Sequence, residues 1–136
     1  MIRRGQGSVL AVVAAGGALG SAARYGVAVA WPHRPGGFAW STFCCNAVGC
    51  LLIGVLLVAA TEVWLAHRLI RPFLGVGVLG GFTTFSTYVV DTAALVRAGR
   101  PAVAAGYLLG TVVTALVGVQ AGVVLTRLAA GRGRAG

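Results

Sequence analysis

The sequence holds no lysine and only two carboxylates, Glu62 and Asp91. Charged residues make up 10% of the chain, where a soluble domain carries about a quarter. That scarcity excludes a paired-acid active site. It also disfavours a proton-coupled transporter, which keeps an ionisable group at membrane depth. Both histidines, His33 and His67, fall between apolar segments, so no Ser-His-Asp arrangement can be assembled. No nucleotide-binding loop is present, and the chain reads as something other than an enzyme. The three cysteines, Cys44, Cys45 and Cys50, share one apolar run without metal-ligand spacing or an accompanying histidine. They read as small membrane-helix residues.

What the chain has in abundance is apolar length. Hydrophobic residues make up 58% of it. Four apolar segments run over about 8–30, 38–60, 72–96 and 101–125. Each supplies the roughly 20 residues that a helix needs to cross the hydrocarbon layer. The expected fold is an all-α membrane protein: a single domain over 1–136 with four transmembrane helices, followed by a disordered basic tail over 127–136. Trp31, Trp40 and Trp64 stand at segment ends, the depth an indole prefers. Pro72 and Pro101 suit the first turn of a helix, where the missing N–H costs nothing. The start, "MIRRGQG" before "SVLAVVAAGGALGSAA", superficially resembles a signal peptide. Its apolar run continues to Val29 and three more spans follow, so a retained first helix is expected.

The formal charge of +9 comes from eleven arginines. They flank the spans instead of lining one helix face, which argues for membrane anchors and against nucleic acid. With four spans both termini share a side. Seven arginines (Arg3, Arg4, Arg68, Arg71, Arg127, Arg132 and Arg134) lie on it and four (Arg24, Arg34, Arg97 and Arg100) on the other. The bias places both termini in the cytoplasm of a multi-pass protein of the cell membrane.

The anomaly is "GGFTTFSTY", Gly80 to Tyr88, inside the third apolar segment. Adjacent glycines each weaken a helix by about 1 kcal/mol relative to alanine, and two β-branched threonines follow. The stretch is expected to break the third helix. Non-helical backbone at membrane depth is tolerated only where it is buried in protein or lines a cavity. Freed carbonyls there can bind a cation, and freed N–H groups an anion. Phe85 and Tyr88 lie three apart on one face, with positive ring edges that can meet an anion. The second segment carries Asn46 with Thr42 one turn earlier, and the fourth repeats that spacing with Tyr107 and Thr111. With Arg24 near the membrane surface, these groups are donors and weakly positive surfaces without a deep fixed charge. They suit a channel or transporter, with a small anion as the candidate cargo. Glycines in every span, among small residues three or four apart, point to tight helix packing. Four helices enclose little space, so a pathway is expected at an interface between subunits.

"GGFTTFSTY" strongly resembles the GGxTTFSTF signature of the Fluc (CrcB-type) fluoride channels. "GGALGSAARY" (Gly16 to Tyr25) and "NAVGCLLIG" (Asn46 to Gly54) resemble the family's first- and second-helix patterns, and the likeness covers roughly Gly16 to Gly122. The resemblance implies an antiparallel, dual-topology dimer in membrane lipid, with two fluoride pores along the interface. It implies a structural sodium ion held by backbone carbonyls of Gly80 and Thr83. It makes Asn46 the pore amide, Phe85 and Tyr88 the aromatic pair, and Tyr107 and Thr111, with Thr42, a hydroxyl track. Arg24 would concentrate anions at a vestibule. Two positions depart from the family pattern: Tyr88 stands where phenylalanine is usual, and Thr111 where serine is frequent. The arginine bias suits a subunit fixed in one orientation, so the partner is either a second copy or an oppositely oriented paralogue, including an obligate heterodimer in which this chain is structural. A small multidrug-type cation transporter is the rival class. It would rely on a membrane-embedded glutamate, and Glu62 stands close to the interface beside Trp64.

Overall fold

A computed structural model of the chain describes residues 6–63 and 68–132. Among these the secondary structure is all helical. Helix α1 spans Gln6–Ala30 and α2 spans Trp40–Val58, running on into a π-helical turn at Ala59–Val63. A second π-helical stretch, Pro72–Leu79, leads into the short α3, Gly80–Phe82. After a gap come α4, Ser86–Arg97, and α5, Pro101–Arg132. Four helical stretches are long and apolar enough to cross a membrane: Gln6–Ala30, Trp40–Glu62, Pro72–Arg97 and Pro101–Gly131. Trp64 and His67 lie outside the described residues, as do Arg3, Arg4 and Arg134.

Pro72 and Pro101 each open their helices. The turn between α4 and α5 closes by local chemistry. Gly99 adopts φ 72°, and the amides of Gly99 and Arg100 bond back to the carbonyls of Val96 and Leu95 at 3.0 Å each. This is a Schellman cap, which needs a residue free to enter the left-handed region. The described part of the basic tail differs from expectation, because α5 continues through Arg132. Leu128, Ala129, Ala130 and the arginines favour helix, and an established helix extends at little cost per residue.

Two helix pairs form the bundle. The first and third spans run parallel, with α1 against Pro72–Leu79 and α3; the second and fourth also run parallel, with α2 against α5. Glycine makes both seams possible. A Cβ on Gly20 would collide with the Val78 carbonyl, and one on Gly122 with the Leu51 carbonyl. Backbone approach this close gives dispersion contact where no hydrophobic drive exists between helices in lipid. The fully buried cluster lies toward one end, where Ala39, Tyr88, Leu95, Ala104 and Tyr107 join α4 to α5 and to the start of α2. Most other apolar side chains face outward, as expected of a chain whose surroundings are lipid or a partner.

Candidate functional site

The third span breaks at Thr83, Thr84 and Phe85. Thr83 has extended backbone, φ −78° and ψ 155°. Its amide still bonds the Leu79 carbonyl at 3.0 Å, and its hydroxyl donates to the same carbonyl at 2.9 Å. The next amide turns away. Thr84 N donates to Asn46 Oδ1 at 2.8 Å, and Asn46 Nδ2 donates to the Thr84 carbonyl at 2.9 Å. The Asn46 side chain thus replaces a backbone partner at both the N–H and the carbonyl of one residue, and one of its two N–H donors stays unspent. Gly49, one turn on, leaves room for the Thr83 methyl, which a Cβ there would strike.

This diversion releases carbonyls. In an unbroken helix the Gly80 carbonyl accepts from Thr84 N and the Thr83 carbonyl from Thr87 N. Thr84 N serves Asn46 instead, and Thr87 N donates to Thr84 Oγ1 at 3.2 Å. The two carbonyls expected to hold a cation are therefore the two whose fourth-neighbour amides are engaged elsewhere. Among the described residues no group of three His, Cys, Asp or Glu side chains could hold a metal.

Beside the break an open groove of about 240 Å³ is lined by Asn46, Thr83, Thr84, Phe85, Tyr88 and Thr111, with Cys50, Val112 and Ala115. Five of the nine residues singled out from sequence meet there. Phe85 is 78% exposed despite its place in mid-span, and Tyr88 is only 5% exposed. Their ring centroids are 5.7 Å apart, tilted by 52°. The Tyr88 hydroxyl donates to the Leu108 carbonyl on α5 at 2.8 Å. What enters the groove at the second aromatic position is therefore the ring, as with a phenylalanine. Thr111 is buried, and its hydroxyl donates to the Tyr107 carbonyl at 2.7 Å.

The other four residues lie elsewhere. Tyr107 is fully buried behind Tyr88, 5.6 Å between ring centroids, and its hydroxyl donates to Asp91 Oδ2 at 3.3 Å. Asp91 Oδ1 also stands 3.8 Å from His33 Nε2. Thr42 is buried one turn before Asn46 and does not line the groove. Gly80 is exposed on the first half of the span. Arg24 reaches the break itself, with Nε on the Gly81 carbonyl at 3.2 Å and Nη1 on Thr87 Oγ1 at 3.4 Å. Sequence reasoning made Thr84 a helix breaker only and gave no role to Thr87, Ser21 or Asp91. The one available signal was spacing, since Ser21 and Arg24, like Thr84 and Thr87, are three apart on a helical turn. Glu62, on which the cation-transporter reading depends, is paired with Arg127 at 2.8 Å on an exposed surface.

The family model described as "CrcB-like protein, Camphor Resistance (CrcB)" matches residues 11–123, covering all four spans and the break. The chain belongs to the CrcB family. Among CrcB relatives, "Fluoride-specific ion channel FluC 2" of Streptomyces avermitilis is 60% identical over 79% of this chain and 68% of its own length. "Fluoride-specific ion channel FluC 2" of Nocardia farcinica is 49% identical over 93% of this chain and 91% of its own. "Fluoride-specific ion channel FluC 1" of Streptomyces coelicolor is 56% identical over 85% of this chain and 75% of its own.

Proposed function

We propose that this CrcB protein is a fluoride-selective passive channel, not an enzyme, that lets cytoplasmic fluoride leave the cell and so confers fluoride resistance. The observation that carries the reading is the groove at the break. An amide with a free N–H, two aromatic rings and a hydroxyl-bearing wall converge there without a fixed charge. A small, strongly hydrated anion needs weak donors that replace water, and a cationic side chain lining the groove would hold it too tightly. Asn46 offers N–H, Phe85 and Tyr88 offer ring edges, and Thr111 can offer its hydroxyl by rotating off the Tyr107 carbonyl. The second half-helix also starts here at Ser86, bringing the positive end of its dipole to the groove. An inside-negative potential drives the anion outward with about 2.3 kcal/mol per charge per 100 mV.

The groove is open on one side, and Phe85 stands out of it. A facing subunit closes such a groove, which supports pores at the interface of an antiparallel dimer. Sodium fits the first half-helix. The Gly80 and Thr83 carbonyls have lost their helical amides to other donors, and they stand at the negative end of that half-helix dipole. Bound there, sodium would supply a fixed positive charge that ties the two breaks of a dimer together. The arginine bias, seven against four, supports a second reading in which the partner is an oppositely oriented paralogue. The numbered relatives, FluC 1 and FluC 2, are in keeping with it.

The deciding experiment is fluoride efflux from liposomes that contain this chain alone, followed with a fluoride electrode and with chloride as the control. Fast fluoride efflux without chloride leak supports a self-sufficient channel. Silence from folded protein that is relieved by adding a paralogue supports the heterodimer. Silence in both cases removes the channel reading.

A further inference from the structure

We propose that Arg24 is a positioning residue that straps the two halves of the broken third span together from the α1 side. The proposal goes beyond the attraction of anions by its charge, and its flux readout rests on the channel reading. Thr83, Thr84 and Phe85 interrupt the helical ladder, so something outside the span must fix how the halves sit. Asn46 does this from α2 through the Thr84 peptide. Arg24 does it from α1. Its Nε holds the Gly81 carbonyl, the last turn of the first half, at 3.2 Å. Its Nη1 holds Thr87 Oγ1, the first turn of the second half, at 3.4 Å. Ser21, one turn back on the same face, donates to the Gly81 carbonyl as well, at 3.4 Å.

The strap continues into the break. Thr84 Oγ1 donates to Thr87 Oγ1 at 3.1 Å and accepts from the Thr87 amide at 3.2 Å. Thr87 Oγ1 is therefore the knot between Arg24 and the residue that Asn46 clamps. The two Arg24 bonds leave from different nitrogens of one rigid plane, a fork that a lysine ammonium cannot reproduce. Charge balance agrees. The chain has two carboxylates; Glu62 pairs with Arg127, and Asp91 faces Tyr107 and His33. The half-buried guanidinium is matched instead by a carbonyl at the negative end of the first half-helix. A cation held this way in a membrane protein marks a functional position.

Full-length Arg24→Lys, Arg24→Gln and Thr87→Val proteins separate the strap from simple charge. Amide hydrogen exchange in detergent reads the break directly, and fluoride efflux from liposomes reads its consequence. A strap predicts that Lys fails as Gln does, with the Thr84 and Thr87 amides exchanging about tenfold faster while mid-α5 amides stay protected. Efflux falls with them. Thr87→Val, which keeps the shape and removes the knot, gives part of the same defect, and combining it with Arg24→Gln adds little further. Wild-type exchange and efflux in Arg24→Lys, with loss only in Arg24→Gln, would show that charge alone matters and overturn the proposal. Unchanged exchange in Thr87→Val would overturn it too. If the wild-type protein proves silent to fluoride, the channel reading fails, and the exchange measurement still decides the strap.

Discussion

Asn46→Asp is the sharpest perturbation of the break, because it changes the amide NH2 into an oxygen and almost nothing in shape. In the wild-type protein the Thr84 carbonyl and N–H are both held by the Asn46 amide, at 2.9 and 2.8 Å. An ionised carboxylate keeps the bond from Thr84 N but cannot donate to the Thr84 carbonyl. The loss is about 1 kcal/mol for the bond and about 1–3 kcal/mol for the carbonyl left facing an oxygen. Together these come to about 2–4 kcal/mol, or roughly 30- to 1,000-fold in the population with an intact break. The new charge also repels an anion in the groove, by about 4 kcal/mol at 4 Å for an effective dielectric constant of 20. Both effects act against flux. Efflux from liposomes should be measured at neutral pH, with melting temperature in detergent alongside. Asn46→Ala is the control, as it loses both bonds without adding a charge. Wild-type flux and melting for Asn46→Asp at neutral pH would refute this account of the break.

Tyr88→Phe removes a hydroxyl whose bond lies on the Leu108 carbonyl; it should cost about 1 kcal/mol of stability and leave fluoride efflux at the wild-type level, while a change in selectivity would place that hydroxyl in the path. Gly20→Ala drives a methyl into the Val78 carbonyl and within 2.8 Å of the Phe82 amide; a loss of about 3 kcal/mol, read as a lower melting temperature and poor yield of folded protein, is expected. Glu62→Gln breaks only an exposed pair with Arg127, a kind of contact that contributes little; fluoride efflux should be unchanged, and lost resistance to cationic dyes in cells expressing the protein would revive the cation-transporter reading.

Several of these positions were legible before any fold was known. Lipid leaves a backbone no partner but itself, so each crossing had to appear as a long apolar run, and a cluster such as "GGFTTFSTY" within one could only be a break. The same logic exposes Asn46, since an amide at that depth must be met by another polar group. What it was bonded to was not legible, because the partner, Thr84, lies 38 positions away. Tyr107 shows the limit of face arithmetic. Its spacing from Thr111 suggested one polar stripe, and the resemblance a shared hydroxyl track, but its hydroxyl turns to Asp91 on the neighbouring helix while Thr111 faces the groove.

The sequence by itself determined how many times the chain crosses the membrane and where the third crossing fails. Composition and periodicity decide such things, because the bilayer acts on every residue according to its own solvation. Only the tertiary structure decided which groups meet at the break. Arg24, read from sequence as a surface cation, reaches the Gly81 carbonyl across 57 positions, and the Tyr88 hydroxyl leaves the groove for α5. Those outcomes depend on the rotation and close approach of neighbouring helices, which glycine-to-backbone contacts set and which no single helix encodes alone.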